Sequence, residues 1–144
     1  MILAVLTVTL TMGCSTSFNR QWNKAVAQPI PANGVEGPWM GEWISDVNQH
    51  HGKLRCVMTK EEEGKYKAYF HATFWKIFRY SYSTILNGED LTNMTHFKGE
   101  KDLGWLAGGV YRYEGHATPT NFLSTYKSKY DHGTFEMIRP VAQQ

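Results

Sequence analysis

The chain has 144 residues, of which 42% are hydrophobic, 14% aromatic and only 19% charged, with a formal net charge of +2. That supports one domain with a buried core and excludes the weakly hydrophobic, highly charged composition of a disordered chain. So small a basic surplus, with no Lys/Arg cluster, also excludes nucleic acid as an expected partner.

In chain order, Met1 to Met12 is apolar or hydroxylic throughout and carries no charge. It is shorter than the roughly 20 residues a spanning helix needs, and has the length of a signal-peptide hydrophobic region. The stretch Leu10-Thr11-Met12-Gly13-Cys14 resembles the lipobox of bacterial lipoproteins. That resemblance implies a signal peptide over residues 1–13 and cleavage before Cys14, whose sulfur would then be diacylated. Ser15 after the Cys implies sorting to the outer membrane, with the domain facing the periplasm and the membrane as its partner through the lipid anchor. A plain signal peptide, or a buried first strand, remains the other reading. A Cys14–Cys56 disulfide would belong with the former. With Cys14 acylated, Cys56 stands alone between Leu54 and Met58 and reads as a buried, inert thiol.

Residues 14–36 read as a polar tether opening with Cys14-Ser15-Thr16-Ser17. Phe18, Trp22 and Val26 follow at i+4 spacing and predict a short helix over Asn19 to Gln28, ended by Pro29 and Pro31. Ala32-Asn33-Gly34 and Gly37-Pro38 complete the linker, and residues 37–144 form the folded domain.

Strand signals then recur, separated by turn residues. The candidates are Trp39–Asp46, Lys53–Lys60, Lys65–Trp75, Lys76–Leu86, Thr92–Glu100, Leu106–His116, Asn121–Lys129 and Thr134–Arg139. Lys60-Glu61-Glu62-Glu63 reads as a solvated turn, and Asn87-Gly88 as a hairpin turn. The fold class is therefore all-β, an antiparallel up-and-down meander of about eight strands. Closing it into a small barrel removes two exposed edges, and a two-sheet sandwich is the alternative.

Gly37-Pro38-Trp39 opens the first strand and Arg139 closes the last. This pair resembles the Gly-x-Trp and late Arg of lipocalins and other calycin barrels. The resemblance implies that Trp39 and Arg139 pack together and plug one barrel end, a cation over an indole face. The whole pattern also resembles a set of uncharacterised bacterial envelope lipoproteins.

Nothing in the chain carries a specific catalytic or metal pattern. His50, His51 and His132 are the weak metal candidates, with no HxH, HExxH or CxxC spacing. They read, like His71, His96 and His116, as surface loop histidines. Asp131-His132-Gly133 suggests part of a hydrolytic triad, but no Gly-x-Ser-x-Gly elbow accompanies it. It reads better as a hairpin with Gly133 at a left-handed position. Gly104 to Gly109 reads as a bulge or bend leading into the strand at Val110. Tyr66, Phe70, Phe74, Tyr111, Tyr113, Phe122 and Tyr126 alternate onto one face of neighbouring strands. They line an apolar pocket open at one end, or simply fill the core. The expectation is a lipid-anchored, non-catalytic module that binds a small apolar or aromatic ligand or acts as a scaffold. A purely structural or partner-binding protein is the alternative, and a His/Asp hydrolase or metal protein ranks below both. No cofactor is implied and no protein partner is named. A membrane pore is disfavoured by Lys65, Lys67, Lys127 and Lys129 on outward faces.

Overall fold

The computed structural model describes residues 13–141; of residues 13–15 the backbone alone is described. Residues 1–12 of the expected signal peptide and the Cys14 side chain therefore lie outside the described residues. Helix α1 spans Gly13–Val26. The strands are β1 (Gly37–Ser45), β2 (His51–Glu62), β3 (Lys65–Phe74), β4 (Phe78–Asp90), β5 (Thr95–Asp102), β6 (Val110–Ala117), β7 (Asn121–Lys127) and β8 (His132–Ile138). Each pairs antiparallel with the next, and β8 returns to β1, closing an eight-stranded up-and-down barrel. The barrel, not the sandwich, is the fold.

The alternation that signals the strands also builds the core. In β3, Tyr66, Ala68, Phe70 and Ala72 are buried inside, while Lys65 and Lys67 stay in solvent. β7 repeats the pattern with Phe122, Ser124 and Tyr126 inside. One ladder is incomplete. β4 pairs with β3 along its length, but its pairing with β5 covers only Leu86 to Asp90. From Phe78 to Ile85 its backbone ladder runs on one side only, with Thr84 Oγ1 donating to the Glu100 carbonyl of β5 at 3.2 Å.

Four turn readings are corrected. Asn87 and Gly88 lie inside β4, paired opposite Lys65 on one side and Lys98 and Phe97 on the other. Gly88 is there for space, since a Cβ would press on the Tyr66 ring at 2.6 Å. Gly133 is likewise an extended strand residue rather than a left-handed one; its Cβ would collide with the Ile44 carbonyl across the seam. Gly104 to Gly109 forms no simple bend but a loop around a single 3-10 turn, Trp105–Ala107, closed by left-handed Gly108. The acidic run is partly strand: β2 extends to Glu62, and the turn falls at Glu63-Gly64.

The tether reading also changes. The helix begins at Gly13, so Thr16 and Ser17 are helical, and α1 lies on the outer wall. Phe18 is fully buried there, stacked on His71 at 4.8 Å and edge-on to Tyr69 at 5.1 Å. The Arg55 guanidinium covers both Phe18 and Trp22 and donates to Asn19 Oδ1 at 3.1 Å. His71 is thus no loop histidine but a buried strand residue beneath the helix, and His96 and His116 also lie on strands.

Candidate functional site

The two barrel ends are built differently. One end holds the start of β1 and the finish of β8, and there Trp39 is completely buried. The Arg139 guanidinium lies over its ring at 3.8 Å. Its N–H groups donate to the carbonyls of Gly34 (2.9 Å), Glu36 (2.8 Å), Pro38 (3.2 Å) and Pro119 (2.9 Å). Trp39 in turn donates to the Val35 carbonyl at 2.9 Å, which sets buried Val35 across the end. Loss of water around Arg139 lowers its pKa to about 10, with Glu36 acting in the opposite direction. The structure brings the two expected plug residues together.

Above the plug the interior is packed with rings. Phe122 lies between Trp39 and Phe97, and Phe97 meets Tyr66 edge-on at 5.2 Å. Phe70 touches Tyr82, Tyr113 and Phe135, and Tyr126 lies 5.1 Å from Phe135. The residues expected to line a pocket, Tyr66, Phe70, Tyr113, Phe122 and Tyr126, are buried in this core, with Phe74 and Tyr111 packed against it. They fill the interior rather than surround a space in it.

Two recesses stand out among the described residues, and neither runs along the barrel axis. A cleft of about 490 Å³ lies at the plugged end beside Tyr66, Asp90, Lys60 and Pro119. Its carboxylate is already engaged: Asp90 accepts from Thr95 Oγ1 at 2.6 Å and from Tyr66 Oη at 3.2 Å, with Lys60 Nζ 3.8 Å away. Burial first, then Asp90, pushes the Tyr66 phenol up, so it remains a donor. A shallower recess of about 620 Å³ follows the outer wall along Met40, Leu123 and Ile138.

At the opposite end the core turns polar. Tyr113 Oη donates to Tyr82 Oη at 3.0 Å, and half-exposed Tyr111 stacks on both Tyr113 and Tyr126. Asp131 accepts from Ser45 Oγ at 2.6 Å and Tyr126 Oη at 3.1 Å. Burial, and next the Asp131 charge, raise the Tyr126 phenol above its ordinary range. Burial likewise raises Tyr82 and Tyr113. Tyr82, Tyr113 and Tyr126 therefore stay protonated near neutrality; Tyr113 and Tyr126 donate, Tyr82 accepts from Tyr113, and none serves as a phenolate base.

His50, His51 and His132 sit at this same end, all exposed. What ties them into the fold is backbone: the carbonyls of His50 and His132 accept from Ser45 and Asp46. Among the described residues, no three His, Cys, Asp or Glu side chains converge as metal ligands. Asp131 holds a turn with Ser128 rather than orienting His132. Cys56 is fully buried, and burial drives its thiol far above the usual value, which removes the thiolate a nucleophile needs.

One feature of this end was missed by sequence reasoning. Trp75 is 70% exposed, Ile77 73%, Trp105 85% and Leu106 83%, all on the turns that rim the mouth. Trp75 and Lys76 hold φ of 47° and 67° in the β3–β4 turn, although neither is glycine. The signal was the turn's composition: a tight hairpin built on Trp-Lys, where Asn-Gly is the favoured pair, has a reason other than turn geometry.

The class these observations define is a small, closed, antiparallel barrel with one plugged end and a filled interior. No family model, curated protein or solved structure matches the chain.

Proposed function

We infer that the domain is a non-catalytic scaffolding module held at the cell envelope, working through its outer surface. The observation that carries this reading is the filled barrel: one continuous core cluster runs from Trp39 to Tyr113, its two groups of rings joined by Leu54, Met58, Leu86 and Met137, and leaves the interior to packing. The acid and hydroxyl groups at both ends are satisfied by one another, which supports the absence of catalytic work. Attachment through an acylated Cys14 at the outer membrane, facing the periplasm, is part of this proposal. It draws on the lipobox-like sequence. The Trp39–Arg139 plug supports a calycin-like relationship as a further expectation.

A second reading is kept for one specific observation. Tyr80, Tyr82 and Tyr111 are only partly covered at the mouth, where a small aromatic or apolar ligand would stack on them. Native mass spectrometry on the full chain, gently captured from its own envelope, separates the two. Bare acylated protein at its calculated mass is the expected result. A reproducible bound small molecule, lost on Tyr82→Ala, would replace the scaffold reading with ligand binding.

A further inference from the structure

At the open rim the exposed apolar groups are concentrated at turn tips. The β3–β4 turn exposes Trp75, Ile77 and Phe78, and the β5–β6 loop exposes Trp105 and Leu106. β4 and β5 are neighbours in the barrel, so the two turns occupy neighbouring places on one rim, across the stretch where the β4–β5 ladder is open. Next around it, the β7–β8 turn exposes Tyr130, with Lys129 Nζ 5.1 Å from its ring centre.

Cations outnumber acids on these turns. Between Phe74 and Tyr82 the ionisable cations are Lys76 and Arg79, and no acid occurs. From Leu103 to Val110 there is no charge at all. Lys127 and Lys129 flank the third turn. Of the acids at this end, Asp102 accepts from the Gly104 N–H and Asp131 is held by Ser45 and Tyr126, while Asp46 is exposed on the β1–β2 turn.

We propose that this rim docks on an anionic lipid surface, with Trp75, Ile77, Trp105 and Leu106 entering the headgroup region. Lys76, Arg79, Lys127 and Lys129 would face the phosphates. Tryptophan and leucine beside lysine are the residue types that settle at a bilayer interface, indole among the headgroups and ammonium at the phosphates. Shape argues the same way. The apolar groups stand on separate protruding turns rather than forming one flat or concave patch, and a fluid interface accepts separate tips without a matching contour. The positive φ of Trp75 and Lys76 fits as well, since the hairpin retains a strained pair that holds an indole outward. This inference rests on the reading that the outer surface does the work. The envelope mass measurement tests that reading independently.

The test uses the full chain carrying Cys14→Ser, so that no acyl group contributes. Vesicles of phosphatidylcholine, with and without phosphatidylglycerol, carry brominated chains that quench nearby indoles. Quenching is expected, with partitioning at least about tenfold stronger on the anionic vesicles. Trp75→Ser with Trp105→Ser should weaken partitioning by about tenfold and abolish most of the quenching. Lys76→Glu with Lys129→Glu should remove the anionic preference and leave the fold intact. Thermal unfolding checks that the serine pair is folded; the conservative Trp75→Asn with Lys76→Gly pair, which suits the turn, repeats the measurement. Equal quenching in the substituted and unsubstituted chains overturns the proposal, as does a chain that stays in solution with both vesicles. Self-association lost on the serine substitutions, without quenching, would assign the rim to a second copy.

Discussion

The plugged and open ends of this barrel spend their polar chemistry in opposite directions. At the plugged end a single guanidinium serves four carbonyls and an indole face, and the surrounding turns carry Glu61 to Glu63, Thr92, Thr118 and Thr120, with Leu91 and Met94 as their exposed apolar residues and no exposed indole. At the open end the phenols and Asp131 satisfy one another inside, while the turns carry indoles, aliphatics and lysines outside. One end is arranged for stability alone. The other retains features that stability would not select, namely exposed Trp75 and Trp105 and a strained turn.

This contrast can be broken most forcefully at Arg139. Arg139→Met should cost about 3–5 kcal/mol, because buried carbonyls lose their only charged donor, and the loss will appear in chemical denaturation. A destabilisation near zero would mean the plug is decorative. At the other end, Trp75→Asn with Lys76→Gly should raise stability by roughly 1–2 kcal/mol, since both residues leave an unfavourable left-handed backbone. Unchanged or reduced stability would remove the argument that the turn is held against its own preference. A smaller effect is expected at Tyr126→Phe, about 1 kcal/mol, the worth of the hydrogen bond to Asp131. Denaturant midpoints are sensitive enough to see it.

The smallest effect sharpens the comparison from the side wall. Burial, and then the Arg55 and Arg79 charges, lower the pKa of His71 beneath α1. A histidine whose folded pKa lies below its unfolded value takes up its proton more readily when unfolded. Stability should therefore fall as pH drops below about 6.5, and go on falling until the folded-state pKa is passed. Comparing melting temperatures at neutral and mildly acidic pH, the unsubstituted chain should lose more than His71→Gln. Parallel losses would show that other groups govern the acid response.

Much of the architecture was readable in the sequence. Alternation in Tyr66 to Phe74 and in Phe122 to Tyr126 is the direct imprint of a wall with one wet face, and turn spacing supplied the strand count. The errors share a cause. Gly88 and Gly133 were taken for turn residues because glycine signals a turn locally, whereas here it gives way to a ring or carbonyl from another strand. The same limit left the interior open between a pocket and a filled core. Which rings face inward follows from alternation, but whether their volumes close the space depends on barrel radius and strand tilt. The docking of α1 was half legible: Phe18 and Trp22 marked the face, but nothing local revealed that Tyr69 and His71 would receive it. The rim was misread for the converse reason. Trp75 and Lys76 carry no turn residue, so two strands seemed to abut without a turn between them.

The partial ladder between β4 and β5 gives the cylinder an uneven stiffness. A wall hydrogen-bonded on both flanks of every strand can dilate only by breaking bonds around its whole girth. Here Phe78 to Ile85 has a backbone ladder to β3 alone, and what ties it elsewhere is side chain, Thr84 to the Glu100 carbonyl and Tyr82 to Tyr113, so opening that seam costs no ladder bonds. That seam lies between the turn that carries Trp75 and the loop that carries Trp105.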